Sequence, residues 1–555
     1  MLERTVVSDQ TALLAAIRAN PDDDTPRLIY ADWLDEHLPD GKPSPSGGPS
    51  ARADYIRVQC RLAQRPYDDP EYPALLEREN ELALWLHSHV GAKDGPKLPD
   101  DLEWFGTFSS GDDRAYRRGF PEEADYADYD EEPEENIERI TAALAEAFTG
   151  GTVRTLQLEE VYGAEVAGVV AHPVSAGLRG LLLGYIDDDE ETVAVRGIAE
   201  SKHLTGLRRL QLLFSIADAD LPRLAKATHL NSLEELLLDE ATPAGMKALS
   251  AARWFRNLRE LRLWVNDRDT FKAVADLPPM PNLVALKFNG NVAPAVGAFR
   301  KFTASDSFPR LGHLEFEETK LAPELFAALA RAPWPLRHLK FRSAEVRKAG
   351  AELLAEATFA ESLRVLEIWD GHITAGGIQA LAGSAKLAGL RHLDLTNNPI
   401  GPGGLYALAR SPHLRGLRSL HMRGCNSTKA PIDAVTVLNF LTALDMPDLR
   451  QLTLDGMPVG IRGAKVIAAG GSFANLRSLE LTNCGLREKG AAAIVESASL
   501  GNLTVLDLAN NNAGKGAVKL ANPKTFPRLG HCDLTRNRLP KTSLNRLNKR
   551  PGVQM

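Results

Sequence analysis

The sequence contains few cysteines and no long apolar run. Only four cysteines occur among 555 residues, and none of them forms a C-x-x-C pair. Neither a disulfide framework nor a zinc site is indicated, and we expect four buried thiols. No stretch of 18 apolar residues occurs, and the N-terminal residues lack the apolar core of a secretory signal. We therefore expect a cytoplasmic protein that makes no contact with membranes.

Common catalytic and nucleotide-binding motifs are also missing. The sequence contains no P-loop, G-x-G-x-x-G, G-x-S-x-G or H-E-x-x-H motif. The segment "GLREKGAAA" at 485–493 has the glycine spacing of a phosphate loop but lacks its Lys-Ser/Thr pair. We expect no enzymatic activity, no cofactor and no metal. The net charge of -8 argues against nucleic acid as a partner.

Two acidic stretches interrupt the chain. The segment "PEEADYADYDEEPEENIE" at 121–138 carries ten acidic residues and no basic one. A solvated linker is favoured there over a site for a cation or a basic partner. The segment "DDDEE" at 187–191 lacks the glycine turn of a calcium loop, and a solvated loop is again favoured. We predict an acidic linker and a capping helix at 121–150.

After this linker, one pattern recurs to the end of the chain. The spacing L-x-x-L-x-L returns every 27 residues or so, a period typical of solenoid repeats. Its fifteen starts are at 153, 178, 207, 233, 258, 283, 311, 336, 363, 390, 417, 449, 476, 503 and 529. Three residues after the start, fourteen copies have leucine and the last has Cys532. The alternation of apolar residues predicts one short strand per repeat, with its leucines turned inward.

Two further positions define the unit. Several copies place asparagine or cysteine eight residues after the start, where a small polar side chain can bond the turn that leaves the strand. These residues are Asn266, Asn291, Asn398, Cys425, Cys484, Asn511 and Asn537. The segments that follow, such as "GGIQALAGS" and "GGLYALARS", are amphipathic and predict a helix. Each repeat is therefore expected to form strand, turn, helix and return.

Copies such as "LRHLDLTNNPIGPGGLYALA" and "LRSLELTNCGLREKGAAAI" resemble the ribonuclease-inhibitor-like class of leucine-rich repeats. The resemblance covers about residues 150–540. It implies an α/β solenoid shaped as a horseshoe, with parallel strands on the concave face and helices on the convex face. We assign this solenoid to residues 151–555.

The N-terminal segment is predicted to be mainly helical. Two helix patterns flank a Pro/Gly/Ser-rich insert at 38–50. In the first helix, Leu28, Ile29, Trp33 and Leu34 form an apolar stripe. The pieces "LLAAIRANPDDDTPRLIYADWLDE" and "RADYIRVQCRLA" resemble the repeat-companion domain, a short bacterial module attached to repeats, which we assign to residues 1–120.

A small group of residues in that segment admits two interpretations. Tyr30, Asp32, Trp33 and Arg52 could form a peptide-binding site, or they could serve packing and ion pairing. The resemblance carries no activity that would assign them a role.

The outward positions of the strands are the candidate binding surface, because solenoids bind partners there. Trp264 and Trp369 are predicted on the concave face with basic neighbours, as in the anchors of protein interfaces. The predicted partner-binding residues are Arg262, Trp264, Lys287, His313, Glu315, His338, Lys340, Arg342, Glu367, Trp369, His392 and Asp394. Later repeats place more acid on this face, at Asp455, Glu480, Asp507 and Asp533, which suggests a polarised groove.

Three histidine–acid pairs on single strands could serve base catalysis, but ordinary surface polarity is favoured because no shared nucleophile accompanies them. The pairs are His313 with Glu315, His392 with Asp394, and His531 with Asp533.

These observations favour a monomeric, non-enzymatic scaffold that binds a protein partner on the concave face. The alternative that the repeat type permits is a regulator of an enzyme such as a small GTPase, although no arginine can be assigned a finger role.

Overall fold

The computed structural model describes most of the chain. It covers residues 2–37, 50–64, 71, 72, 74–76, 78, 79, 82, 83, 86, 98, 99, 102–104, 116–118, 120–126, 133–186, 190–239, 242–265, 268–428, 430–550 and 552–555. Four predicted features fall wholly or partly outside the described residues: residues 38–49 of the insert, residues 127–132 of the acidic run, residues 187–189 of the second acidic segment, and Asn266.

Three helices open the chain, namely α1 (Leu2–Ala19), α2 (Thr25–His37) and α3 (Ala51–Gln64). They share a core that includes Ile17, Trp33, Ile56 and Cys60. The two predicted helices on either side of the insert, and their packing against each other, are confirmed.

The predicted stripe on α2 is wrong at two positions. Leu28 is 36% exposed and Ile29 is 49% exposed. Arg27 is buried instead, and its Nη2 lies 2.8 Å from the Glu122 carboxylate, 95 residues further along the chain. Because a distant carboxylate makes burial of Arg27 possible, the apolar pattern of the helix alone could not identify its inner face.

Short strands and a long helix follow: β1 (Leu102–Trp104), β2 (Tyr116–Arg117), β3 (Phe120–Pro121), β4 (Glu123–Tyr126) and α4 (Pro133–Gly150). Strand β4 runs antiparallel to β1 on one side. On its other side β4 runs parallel to the first strand of the repeats. Asn136 of α4 accepts a hydrogen bond from the Tyr126 hydroxyl and donates one to Glu165, which ties α4 to the first repeat.

One strand lies at each of the fifteen predicted repeat starts. They are β5 (Thr155–Leu158), β6 (Gly180–Leu183), β7 (Arg209–Leu212), β8 (Glu235–Leu238), β9 (Glu260–Trp264), β10 (Ala285–Asn289), β11 (His313–Glu317), β12 (His338–Arg342), β13 (Val365–Trp369), β14 (His392–Asp394), β15 (Ser419–His421), β16 (Gln451–Thr453), β17 (Ser478–Glu480), β18 (Val505–Asp507) and β19 (His531–Asp533), with β20 (Val553–Gln554) after them.

Helical segments connect these strands, as predicted. The α-helices are α5 (Gly163–Ala171), α6 (Glu191–Glu200), α7 (Leu221–Ala225), α8 (Pro243–Ser250), α9 (Thr270–Ala275), α10 (Val296–Thr303), α11 (Pro323–Leu329), α12 (Arg347–Ala355), α13 (Ala375–Gly383), α14 (Gly401–Ala409), α15 (Ala434–Ala443), α16 (Gly460–Ala468), α17 (Arg487–Val495) and α18 (Lys541–Leu547). The 3₁₀ helices are Pro173–Gly177, Thr228–Ser232, Trp254–Asn257, Ala385–Gly389, Gly471–Phe473 and Gly514–Ala521.

The chain forms two compact units that divide between His313 and Leu314. The first unit comprises residues 1–44, 48–75 and 92–313, and the second comprises 45–47, 76–91 and 314–555. In the first unit, strands β4 to β10 lie side by side in chain order. In the second unit, β11 to β20 do the same. Each unit is thus an α/β solenoid in which each strand at a predicted repeat start is followed by a helical return.

The strand register confirms the predicted leucine column, because each member lies directly opposite the next. In the first unit the column is Leu156, Leu181, Leu210, Leu236, Leu261 and Leu286. In the second unit it is Leu339, Leu366, Leu393, Leu420, Leu452, Leu479, Leu506 and Cys532. All are almost fully buried, so this column is the continuous core of each solenoid.

The predicted polar column also forms a structural ladder in the second unit. Asn398 Nδ2 donates to the Ile368 carbonyl of the preceding repeat at 2.5 Å, and its Oδ1 accepts the Ile373 amide at 3.0 Å. Cys425 Sγ takes the same position and contacts the Leu395 carbonyl at 3.0 Å. Asn291 is exposed and lies outside this ladder. All four cysteines are buried free thiols, as expected.

Candidate protein-interaction surface

The twelve predicted partner-binding residues are divided between the two units. The first unit holds Arg262, Trp264, Lys287 and His313. The second unit holds Glu315, His338, Lys340, Arg342, Glu367, Trp369, His392 and Asp394.

In the first unit, the predicted residues differ widely in exposure. Trp264 ends β9 and is 36% exposed. Lys287 on the next strand is only 3% exposed, and its Nζ lies 2.5 Å from the Glu260 carboxylate. His313 is buried as well. Trp264 is therefore the most exposed member of this group and Arg262 is half-buried, whereas Lys287 is used in a cross-strand ion pair.

In the second unit, Trp369 is held by two cations of the preceding strand. Lys340 Nζ lies 5.2 Å and the Arg342 guanidinium 5.8 Å from the indole centroid. Lys340 also pairs with Glu315 at 3.0 Å, and Arg342 pairs with Glu317 at 2.8 Å. Each cation is thus fixed between a carboxylate and the aromatic ring. We call these five residues the Trp369 cluster.

The Trp369 cluster remains partly accessible. The Arg342 side chain is 53% exposed and that of Lys340 is 22% exposed. The indole Nε1 of Trp369 has no hydrogen-bond acceptor among the described residues. Because this Nε1 atom is itself buried, the cluster offers an aromatic surface and a fixed pair of cations.

Next to this cluster, an imidazole and a carboxylate pair across two strands. His338 Nε2 lies 2.8 Å from Glu367 Oε1. Burial alone would raise the pKa of Glu367, but the His338 hydrogen bond and the nearby charges of His338, His392 and Lys340 lower it to about 2. Glu367 is therefore an anion at neutral pH and holds His338 in place.

His392 lies in an environment that disfavours its charged form. Burial lowers the pKa of His392 to about 3, and the charge of His421, whose ring centroid is 5.1 Å away, adds to the shift. Ser419 and Thr453 lie within hydrogen-bond distance of the two His421 ring nitrogens. The partner of His392 in space is thus another imidazole on the next strand.

Several acidic residues of this face support the turns that follow the strands. Asp394 Oδ1 accepts the Thr396 amide at 2.8 Å. Asp507 and Asp533 accept the amides of Ala509 and Thr535 in the same way. These carboxylates therefore stabilise the backbone of the turns. The recurring Asp-Leu-Thr/Ala segments were the sequence signal for this role.

One arginine on this face, which the sequence analysis did not identify, forms ion pairs with two carboxylates. Arg423 Nη2 lies 3.0 Å from Asp455 and 3.1 Å from Glu480, on the two repeats that follow. Burial and the charge of Glu480 raise the pKa of Asp455 to about 6, and Arg423 offsets part of that shift. Only the stacking of repeats brings these three residues together, because they are 25 or more positions apart in the sequence.

The proposed peptide-binding group of the N-terminal segment consists of Tyr30, Asp32, Trp33 and Arg52. Each of these residues contacts another residue of the same chain. Tyr30 stacks on Trp33 with centroids 5.8 Å apart, and Asp32 pairs with Arg57 at 2.7 Å. The Arg52 guanidinium lies 5.9 Å from the Phe120 ring centroid. These contacts favour packing and ion pairing over a peptide-binding site.

Within the described residues, no group of three or more His, Cys, Asp or Glu side chains is arranged to hold a metal ion. No described helix combines the length and apolar composition needed to cross a bilayer.

Comparison with known proteins adds to this description. The family "Leucine Rich repeat" matches residues 390–409 and 474–495. No curated protein matches the sequence. One solved structure with a similar chain is the crystal structure of the Rad7 and Elc1 complex in yeast, with 17% sequence identity and a TM-score of 0.42 over 66% of this chain and 92% of that chain.

The two matched segments contain strands β14 and β17 with their helices α14 and α17. The same strand register and leucine column extend through both units. The chain therefore carries leucine-rich repeats, and its two units are α/β solenoids of the leucine-rich-repeat type.

Proposed function

We propose that the protein is a non-enzymatic scaffold that binds a protein partner on the exposed faces of its strands. The observation that supports this most directly is the Trp369 cluster. Tryptophan and arginine are the residues that most often dominate the energy of protein interfaces. Here both cations are already held by carboxylates, so little side-chain freedom is lost when a partner binds.

The proposed binding surface keeps the twelve predicted positions, of which Lys287 and His313 are buried and Trp264 is the exposed aromatic of the first unit. In the second unit, Glu367 and Asp394 act by holding neighbours in place, whereas Trp369 and Arg342 face the partner.

We also propose that residues 1–120 form a repeat-companion domain of bacterial type, that 121–150 form an acidic linker and capping helix, and that 151–555 form the binding solenoid. Buried free thiols at all four cysteines fit a reducing compartment such as the cytoplasm.

The test compares wild-type protein with Trp369→Ala as baits in quantitative affinity capture, followed by binding measurements with each purified partner. Tyr406→Ala is the matched control, because Tyr406 is 60% exposed and stacks on Arg410 but lies on helix α14. We expect Trp369→Ala to lose about tenfold or more in affinity, and Tyr406→Ala to bind as wild type does. Trp264→Ala tests the first unit in the same way.

Equal binding by Trp369→Ala and wild type would show that the Trp369 cluster is not the binding surface. Circular dichroism and thermal unfolding of each variant separate a loss of contact from a loss of fold.

A further inference from the structure

A column of arginines runs along one edge of the sheet in the second unit, separate from the Trp369 cluster. Each arginine directly precedes a strand, and from the second arginine of the column onward the backbone amide donates to the carbonyl of the arginine before it, at 2.7–2.8 Å. The column consists of Arg337, Arg364, Arg391, Arg418, Arg450 and Arg477. Neighbouring strands are about 4.8 Å apart, so six such positions span about 24 Å. We call these residues the arginine row.

The guanidinium groups in this row are held in place by backbone. Arg364 Nη1 donates to the carbonyls of Glu361 and Leu363, both at 2.9 Å. Arg391 Nη1 makes the equivalent contacts with Ala388 and Leu390. A Cβ at Gly389 would overlap Arg364 Nη1, so the glycine of the next repeat leaves room for the guanidinium. The positive groups are thus fixed at the repeat spacing.

Four members of the row have no acidic partner. Within the part of the chain that the structure describes, no carboxylate lies at ion-pair distance from Arg337, Arg364, Arg391 or Arg418. Burial lowers the pKa of Arg364, and the charges of Arg337 and Arg391 on either side lower it further. The Nε of Arg337 is buried without an acceptor. These four arginines therefore carry positive charge that no described carboxylate compensates.

In the first unit, arginines at the equivalent positions form ion pairs with a carboxylate. There Arg179 and Arg208 hold the equivalent positions, directly before β6 and β7. Asp22, in the turn between α1 and α2, lies 3.1 Å from Arg179 and 3.3 Å from Arg208. A single carboxylate thus bridges two successive arginines, and it belongs to the acidic segment "NPDDDT" at 20–25.

We propose that the arginine row of the second unit is a docking site for an acidic segment of a partner protein, bound through carboxylates that each bridge two successive arginines. Bridged pairs recur every two strands, at about 9.6 Å. A polyproline II segment with an acid at every third residue repeats its side chains at about 9.3 Å on one face. The occupant that fits the row is therefore an extended acidic peptide with this spacing.

The probe is a fluorescein-labelled peptide of four Asp-Pro-Ala repeats, with four Asn-Pro-Ala repeats as its neutral control. Binding to the full-length protein is measured by fluorescence anisotropy at two salt concentrations. We expect the Asp peptide to bind at least about tenfold more tightly than the Asn peptide and to weaken as salt rises, because the contacts are charged.

Two variants locate the site. Arg364→Gln with Arg391→Gln removes two charges but retains amide donors for the backbone carbonyls, and Arg337→Gln with Arg418→Gln does the same in a second pair. Each should weaken binding of the Asp peptide by about tenfold or more. The control is Arg410→Gln with Arg462→Gln, which removes equal charge from exposed positions on α14's C-terminal end and α16; it should bind as wild type does.

Three results would overturn the proposal: equal binding of both peptides, no effect of either row variant, or equal weakening by the control variant. A single-stranded oligonucleotide of the same charge serves as competitor. Tighter binding of that oligonucleotide through the same arginines would assign the row to nucleic acid and reject an acidic peptide as its occupant.

Discussion

Asn511 Nδ2 donates to the Leu481 carbonyl of the preceding repeat at 2.6 Å, while its Oδ1 accepts the Cys484 amide at 2.9 Å. Asn537 repeats this geometry one turn of the solenoid later, with its Nδ2 on the Leu508 carbonyl at 2.7 Å. Both asparagines are buried. Each side chain therefore closes its own turn and joins two repeats, so successive units are connected by polar contacts as well as by leucines.

Replacing Asn511 by alanine should destabilise the protein by about 2–4 kcal/mol, because buried backbone donors and acceptors lose their partners. Asn511→Cys should cost less, since Cys484 and Cys425 hold the equivalent position elsewhere and contact the preceding repeat through sulfur. The urea midpoint of unfolding measures both effects. Asn502→Ala, at an exposed position, is the control and should change stability by about 0.5 kcal/mol or less. A similar midpoint for Asn511→Ala and Asn502→Ala would contradict a structural role for the ladder.

A substitution at Gly516 tests how closely neighbouring repeats pack. A Cβ at this position would lie 2.1 Å from the Glu488 carbonyl oxygen on α17, where the obstacle is backbone and cannot rotate away. Gly516→Ala should therefore cost about 2–3 kcal/mol. At Gly501 nothing lies within 4 Å of a Cβ, so Gly501→Ala should be neutral or stabilise by up to about 1 kcal/mol. Thermal unfolding of the two variants should thus shift in different directions or by clearly different amounts.

Much of the fold could be predicted because it depends on residues within one repeat. The spacing of Leu390, Leu393 and Leu395 is enough to define a strand, and Asn398 marks the turn. The candidate surface depends on neighbours in space, which the period does not identify. Lys287 is buried because Glu260 lies beside it, and the His392 ring lies 5.1 Å from the His421 ring of the next strand. Such partners become visible only when the repeats are stacked in register.

The raised pKa of Asp455 predicts that the stability of the protein falls as pH rises. Its folded pKa of about 6 lies above the ordinary aspartate value of about 3.9, so the folded state holds this proton more tightly than the unfolded state. Its contribution to stability is therefore lost as pH rises from about 4 to 6. Asp455→Asn retains an acceptor for the Thr482 amide and removes this titration. The variant should be more stable than wild type above pH 6, by about 1–3 kcal/mol. An unchanged difference between the two proteins from pH 4 to 7 would contradict the raised pKa.

The lowered pKa of His392 predicts the opposite pH dependence of stability, over an overlapping range of pH. Its folded pKa is about 3, below the ordinary histidine value of about 6.5, because burial and the charge of His421 disfavour the imidazolium. As pH falls below 6.5 the unfolded chain takes up a proton that the folded chain does not, so this contribution to stability is lost between about pH 6.5 and 3. Glu367 opposes the shift and His338 adds to it, so all three neighbours set its size. Replacing His392 by glutamine removes the titration.

Urea unfolding from pH 7 to 4.5 checks this prediction. Relative to wild type, His392→Gln should gain about 2 kcal/mol at pH 4.5 compared with pH 7, whereas Asp455→Asn should lose its advantage over the same interval. The two variants are controls for each other, because a general effect of acid on the solenoid would move both in the same direction. Slopes of the same sign for the two variants would show that the surroundings of His392 do not exclude its charged form.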